Sequence, residues 1–172
     1  LVVGPVPPLF FDDFEAGPGN WTTAINDAHG NSQWELGTPA GSTGPLAGAA
    51  DSANAWSTNI GDYGADSDIA LRSPAIDLGG AGGAELTFEA FRDADGLGDS
   101  AVVRFLRAAD QIQLGAETPL GLNTLDEGYV THRIAVVPEA LGERVVLEFN
   151  FVSDGSADAF SGLSIDNVRV EI

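Results

Sequence analysis

The chain has 172 residues, no Cys, no Met and no Lys; its seven basic residues are all Arg, against 26 acidic ones, for a formal net charge of −19. A field of that sign repels phosphate backbones and anionic lipid, so nucleic acid and bare membrane are poor partners, and divalent cations are attracted. Without Cys there is no disulfide, thiol nucleophile, iron–sulfur cluster or Cys-based zinc site, and no run of about 18 apolar residues is available to span a membrane.

The start, Leu1 to Pro8, reads "LVVGPVPP" and lacks a basic n-region. It is expected to be the end of an interdomain linker, since proline-rich segments are extended and stiff. The domain proper is expected over residues 9–172. Its first element, "LFFDDFE" (residues 9–15), places Asp12, Asp13 and Glu15 among Phe10, Phe11 and Phe14, with no Arg before Arg72. With Phe14 inward on a strand, Asp13 and Glu15 share the opposite face. Two carboxylates on one face repel unless a cation lies between them. The stretch from Asn26 to Asp68 is rich in Gly, Ala, Ser, Thr and Asn and predicts long loops, which in a compact domain are functional or tied down by other means. Trp21, Trp34, Trp56 and Tyr63 all lie in the loop-rich opening part of the chain. They either staple loops onto the core or, at Trp56 and Tyr63, meet a ligand such as a sugar ring.

From "IALRSPAIDL" (residues 69–78) onward, alternation with period two predicts strands. Leu86, Phe88 and Ala90 share a face in "ELTFEAFR". Ala101, Val103 and Phe105 do so in "SAVVRFLR", and Val130, His132, Ile134 and Val136 in "YVTHRIAVV". His132 on that apolar face reads as a semi-buried histidine. "VPEALGE" has room for a helical turn. In "RVVLEFNFV", Val145, Leu147, Phe149 and Phe151 face one way. The last strand, "GLSIDNVRVEI", breaks parity: Leu163 and Ile165 share a face, then Val168 and Val170 take the opposite register. A strand keeping one buried face absorbs the extra residue as a bulge, here at Asp166-Asn167. Short strands separated by turn signals, with 22 Gly and 9 Pro along the chain, predict an all-β fold, an antiparallel two-sheet sandwich.

Ca2+ takes six to eight oxygen ligands from carboxylates, carbonyls and amide side chains. Candidates from separate segments are Asp13, Glu15, Asp27, Asp51 and Asp166. A second candidate group, Asp93, Asp95 and Asp99 in "DADGLGD", matches the opening of an EF-hand loop but has Arg104 where the closing Glu belongs. It is therefore either a non-EF-hand Ca2+ site or a hairpin turn rich in Asp and Gly. No G-x-S-x-G or H-E-x-x-H occurs. A carboxylate pair for glycoside hydrolysis remains open on residue types alone.

Several segments, in order, resemble the MAM-like jelly-roll domains of secreted bacterial proteins. They are "FDDFEAGPGNWTT", "DAHGNSQWELGTP", "ADSANAWSTNIGDYGADSDIALRSPAIDLGG", "LTFEAF" and "SDGSADAFSGLSIDNVRV". These domains include the cleaved adhesins of gingipain-type proteases, accessory domains of immune-inhibitor-A-type metallopeptidases and choice-of-anchor J domains. The resemblance runs from Leu9 to Ile172. It implies a β-sandwich of jelly-roll type, adjacent N- and C-terminal strands, and a structural Ca2+ near their junction with Glu15 and Asp166 as matching ligands. Asn167 replaces the second Asp of the usual closing pattern. The implied role is a non-catalytic accessory domain, secreted or at the cell surface. It would bind glycan or extracellular protein, or pack against neighbouring domains of its own polypeptide.

Overall fold

The computed structural model describes residues 1–156 and 159–172. Among the described residues there are twelve strands: β1 (Phe10–Asp12), β2 (Thr22–Ile25), β3 (Trp34–Gly37), β4 (Ala55–Thr58), β5 (Asp68–Arg72), β6 (Ile76–Asp77), β7 (Glu85–Asp93), β8 (Ser100–Arg107), β9 (Gln113–Pro119), β10 (Val130–Ala135), β11 (Arg144–Val152) and β12 (Gly162–Glu171). They form two antiparallel sheets. The first runs β10-β7-β12-β4-β3, with β1 also on β12; the second runs β2-β5-β11-β8-β9, with β6 also on β11. This is an antiparallel β-sandwich of jelly-roll type.

The alternating residues meet between the sheets. Leu86, Phe88 and Ala90 face Val145, Leu147, Phe149 and Phe151 in one buried cluster. Phe88 and Phe149 cross that interface edge to face, with centroids 5.1 Å apart. A side chain of that size contributes roughly 1.5–3 kcal/mol by burial. Chain ends meet as expected: Phe10, Phe11 and Asp12 pair with Val170, Arg169 and Val168. The bulge lies where parity breaks. Asp166 pairs with Glu89 and Arg169 with Thr87, so β12 carries one residue more than β7 between them. Asn167 takes a left-handed φ of 49° to accommodate it.

Two expectations are corrected. The span 26–68 is not all loop: β3 and β4 lie within it and pair from Trp34–Thr58 to Gly37–Ala55. All four residues of β4 are buried, and each of its faces carries one apolar and one polar residue, so it has no alternation to read. Second, β1 stops at Asp12. Phe14 has φ 62°, and its N–H donates to the Asp12 carboxylate at 2.8 Å. Phe14 is fully buried as expected, but a turn delivers it, and Asp13 and Glu15 are not strand neighbours. β2 and β9 carry no alternation that predicts them. The turn in "VPEALGE" is present as a single 3-10 turn, Pro138–Ala140.

Candidate functional site

The loop from Gly48 to Asn54 lies over the outward face of the first sheet, where β12 places Asp166. Tyr129 holds the approach to this loop: its hydroxyl donates to the Ala47 carbonyl at 2.8 Å. Asp166 is fully buried beneath. Its Oδ2 accepts from the Ala49 N–H at 2.8 Å and the Ser52 hydroxyl at 3.0 Å, and its Oδ1 from the Asn167 N–H at 2.7 Å. Glu15, at the surface, grips the other end of the loop. Its Oε1 accepts from Asn54 N–H at 2.8 Å and its Oε2 from Ala53 N–H at 3.3 Å. Burial, with the Glu15 charge adding to it, pushes the Asp166 carboxyl up to about 6, against the lowering effect of its own hydrogen bonds. None of the ion pairs among the described residues involves either carboxylate.

The loop itself is strained. Ala50 and Asp51 both take left-handed φ, 51° and 63°, a conformation that costs L-residues roughly 1–2 kcal/mol each. Gly48 permits the close approach. A Cβ there would lie 2.3 Å from Ser52 Oγ, 2.4 Å from the Asn54 carbonyl oxygen and 2.8 Å from Asp166 Oδ2. Three oxygens from two segments, the loop and β12, thus crowd one small space. In chemistry this donor set suits Ca2+: carboxylate, hydroxyl and carbonyl oxygens, with no nitrogen or sulfur.

The five sequence candidates are not all assembled here. Glu15 and Asp166 share the loop. Asp51 belongs to it, with its residue exposed. Asp13 is exposed and accepts from the Glu15 N–H at 3.1 Å. Asp27 lies apart, beside the second sheet. It accepts from the N–H groups of Asp68, His29 and Gly30 at 2.8–2.9 Å, and these bonds, Asp68 first, hold its carboxyl down at about 2. Among the described residues, no three His, Cys, Asp or Glu side chains form a group able to hold a metal. Two carboxylates and neutral loop oxygens are what the chain brings together. Ser52, Gly48 and the Asn54 carbonyl carry no sequence signal, since two of them act through backbone.

The second group is occupied by protein donors. Asp93 Oδ2 accepts from Ser161 N–H at 3.0 Å, Ser161 Oγ at 2.8 Å and Thr43 Oγ1 at 2.5 Å. Asp99 accepts from the Tyr63 hydroxyl and from Asp154 N–H, and Asp95 accepts from Leu97 N–H at 3.1 Å. The three carboxylates therefore serve three different clusters of the turn and its neighbours.

Trp56 and Tyr63, expected as ligand-facing rings, are 5% and 4% exposed. This corrects the ligand expectation and leaves the stapling role. Trp56 packs near Phe14 at 6.3 Å, and Tyr63 sits edge-on to Phe151 at 5.1 Å. Phe11 is the exposed aromatic among the described residues, at 45%. His132 is half-buried and stacked on Phe88 at 5.2 Å, as the apolar face of β10 implied, with its Nε2 buried and unpartnered.

No family model matches the chain, and no curated protein matches it in sequence. In fold it is similar to the K3 cleaved adhesin domain of Lys-gingipain from Porphyromonas gingivalis W83, with TM-score 0.61, 23% identity, and 96% of this chain covering 100% of that one. It is similar also to the CBM27-1 module of Caldicellulosiruptor saccharolyticus, solved with mannohexaose, with TM-score 0.60, 19% identity, and 97% covering 98%. A glycoside hydrolase domain, Endo-D of Streptococcus pneumoniae, shows TM-score 0.58 and 14% identity, with 88% of this chain covering only 21% of that one. At these identities the likeness is one of fold: a jelly-roll shared with adhesin and carbohydrate-binding domains.

Proposed function

We propose that this chain is a non-catalytic, calcium-stabilised accessory domain of a secreted or cell-surface protein, serving adhesion through glycan or protein binding. The observation that supports the calcium is the buried Asp166 carboxylate. Among the described residues it has no cationic partner, it stands near Glu15, and both grip a strained loop whose Ser52 and Asn54 oxygens crowd the space beside Asp166. Glu15, Asp166, Ser52 and the Asn54 carbonyl would hold the ion. It would supply the positive charge that joins the turn after β1, the loop and β12.

The raised pKa of Asp166 is that of a general acid, and a carboxylate lies nearby, as glycoside hydrolysis requires. Asp166 is nevertheless wholly covered by the loop, so no sugar reaches it, and the reading is non-catalytic. The fold neighbours include adhesin and carbohydrate-binding domains, which agrees with a binding role.

The test is thermal unfolding in chelator and in Ca2+, with elemental analysis of the purified domain. A melting temperature raised by Ca2+ and lowered by chelator supports the reading; no change removes the metal.

A second reading, a domain that packs on its neighbour, draws on a cleft of about 210 Å3 at one end of the sandwich. Leu97, Leu125 and Phe160 are among its lining residues. Leu97 is fully exposed. Loss of stability on excision from the full polypeptide would favour it.

A further inference from the structure

The bulge in β12 turns two consecutive side chains outward. Asp166 goes under the loop, and Asn167 faces a second feature, a groove of about 360 Å3 across β1, β12, β7 and β10. The groove is lined by Phe11, Thr87, Glu89, Thr131, Asn167 and Arg169. Asn167 Nδ2 donates to Glu89 Oε2 at 2.7 Å, which fixes both side chains. Their other oxygens, Asn167 Oδ1 and Glu89 Oε1, take no hydrogen bond among the described residues, and neither do the Thr87 and Thr131 hydroxyls. The Arg169 guanidinium lies over the Phe11 ring, 4.8 Å from its centroid, and among the described residues its one acidic contact is a long one, Glu171 at 3.8 Å. One rim thus holds an exposed aromatic ring; the floor holds pre-set acceptors and donors with unspent capacity.

The outer face of the second sheet differs. There Arg72, Glu148, Arg104 and Glu117 consume one another's hydrogen bonds.

We infer that the groove between Phe11 and Thr131 binds a neutral hexopyranose unit, the ring's C–H face against Phe11 and its hydroxyls on Asn167, Glu89 and Thr131. A sugar hydroxyl both donates and accepts. It therefore satisfies a carboxylate oxygen, an amide oxygen, a threonine hydroxyl and a guanidinium together. A few placed polar groups beside an aromatic wall make a small-molecule site. A uronate or a phosphorylated sugar gains one Arg169 contact but meets Glu89 and the field of a chain at −19. This assignment rests on the reading of the domain as a binding module and adds its site and ligand class.

The experiment is an amide NMR titration of the Ca2+-supplemented domain with methyl mannopyranoside, glucopyranoside and galactopyranoside, with mannohexaose, and with methyl glucuronopyranoside. At least one neutral sugar is expected to shift the amides of Phe11, Thr87, Glu89, Thr131, Asn167 and Arg169. Phe11→Ala and Thr131→Val are expected to weaken it about tenfold or more, equivalent to about 1.4 kcal/mol. Asn167→Gly tolerates the left-handed bulge while deleting the amide, and is expected to do the same with an unchanged melting temperature. Shifts mapping to the second sheet, or binding of the uronoside alone, overturn the groove while leaving a binding module. The absence of shifts with every sugar overturns it too, and a Ca2+-dependent melt would then leave the metal staple intact on its own.

Discussion

Glu15 and Asp166, 151 positions apart in sequence, hold opposite ends of one seven-residue loop: Asp166 takes the Ala49 N–H and Ser52 hydroxyl, and Glu15 takes the Ala53 and Asn54 N–H groups. Neutralising both carboxylates at once is the role proposed for Ca2+. An ion bound only by the folded state adds about 2.7 kcal/mol at a hundredfold excess over its Kd. Calorimetry in chelator and then in millimolar Ca2+ is expected to show a shift of several degrees. Glu15→Gln and Asp166→Asn should each reduce it, whereas Asp27→Asn should leave it unchanged, because Asp27 serves the second sheet. A shift untouched by both of the first two variants would place any ion elsewhere.

Asp166 makes a pH-dependent contribution of unusual sign to the stability of the metal-free domain. Asp166 titrates at about 6 in the folded state and near 3.9 unfolded. The folded state therefore holds the proton more tightly between those values. Its contribution is complete below about pH 4 and is lost as pH rises through about 6, by about 3 kcal/mol. In chelator, the stability difference between wild type and Asp166→Asn is expected to move by that amount from pH 4 to 7, in denaturant titrations at each pH. Ca2+ favours the ionised carboxylate, so stabilisation by the ion should shrink as pH falls through 6.

His132 opposes this. Burial first, then the Arg92 charge, lowers its pKa below 6.5. The unfolded chain then takes up the proton more readily, so stability is lost as pH falls from 6.5 through the folded value. His132→Phe keeps a ring on Phe88 and should flatten that part of the profile. An imidazole titration by NMR showing an ordinary or raised pKa would remove the effect.

Glu148 stands between Arg72 at 2.6 Å and Arg104 at 2.9 Å, and Arg104 continues to Glu117 at 2.6 Å on the edge strand. The side chain of Glu148 is 5% exposed and that of Glu117 is 42%. Charge-assisted bonds to a covered carboxylate are worth more than an exposed pair. Urea unfolding should therefore show Glu148→Gln costing about 2 kcal/mol and Glu117→Gln less than about 1 kcal/mol. Equal losses would mean the ladder is screened throughout.

The elements that could be read from sequence are those whose two faces differ in chemistry, one wholly apolar and the other carrying polar groups, whether or not that second face is wet. Val145, Leu147, Phe149 and Phe151 announce β11 because Val146, Glu148 and Asn150 alternate with them. The bulge at Asp166-Asn167 was legible for the same reason, as a change of parity. Ala55 to Thr58 announce nothing, because each face of β4 carries one apolar and one polar residue, Ala55 with Ser57 and Trp56 with Thr58, so no alternation of chemistry shows. Glu15 and Asp166 stood out as acids beside apolar strands. The loop that joins them did not, since Gly48, Ala49 and Ala53 act through backbone groups common to every residue. Aromatic identity was equally silent about exposure: Tyr63 in a Gly-rich segment reads alike whether it meets a sugar or the core.

Tyr63 therefore yields the last prediction. Its hydroxyl donates to the Asp99 carboxylate and accepts from the Asp95 N–H at 3.0 Å. Asp99 in turn accepts from Asp154 N–H at 2.9 Å. One phenol thus ties the "DADGLGD" turn to the segment after β11 and to the core at Phe151. Tyr63→Phe keeps the ring and removes the donor to Asp99 Oδ2, leaving this mostly buried carboxylate with the Asp154 N–H alone among the described residues, which costs roughly 1–3 kcal/mol. Denaturant midpoints should fall accordingly with the slope unchanged, and amide exchange should quicken in residues 95–99. Affinity for any glycan bound at Phe11 should not move, because the ring lies in the core. A Tyr63→Phe variant with wild-type stability but weakened sugar binding would reverse that assignment and make this phenol part of the recognition surface.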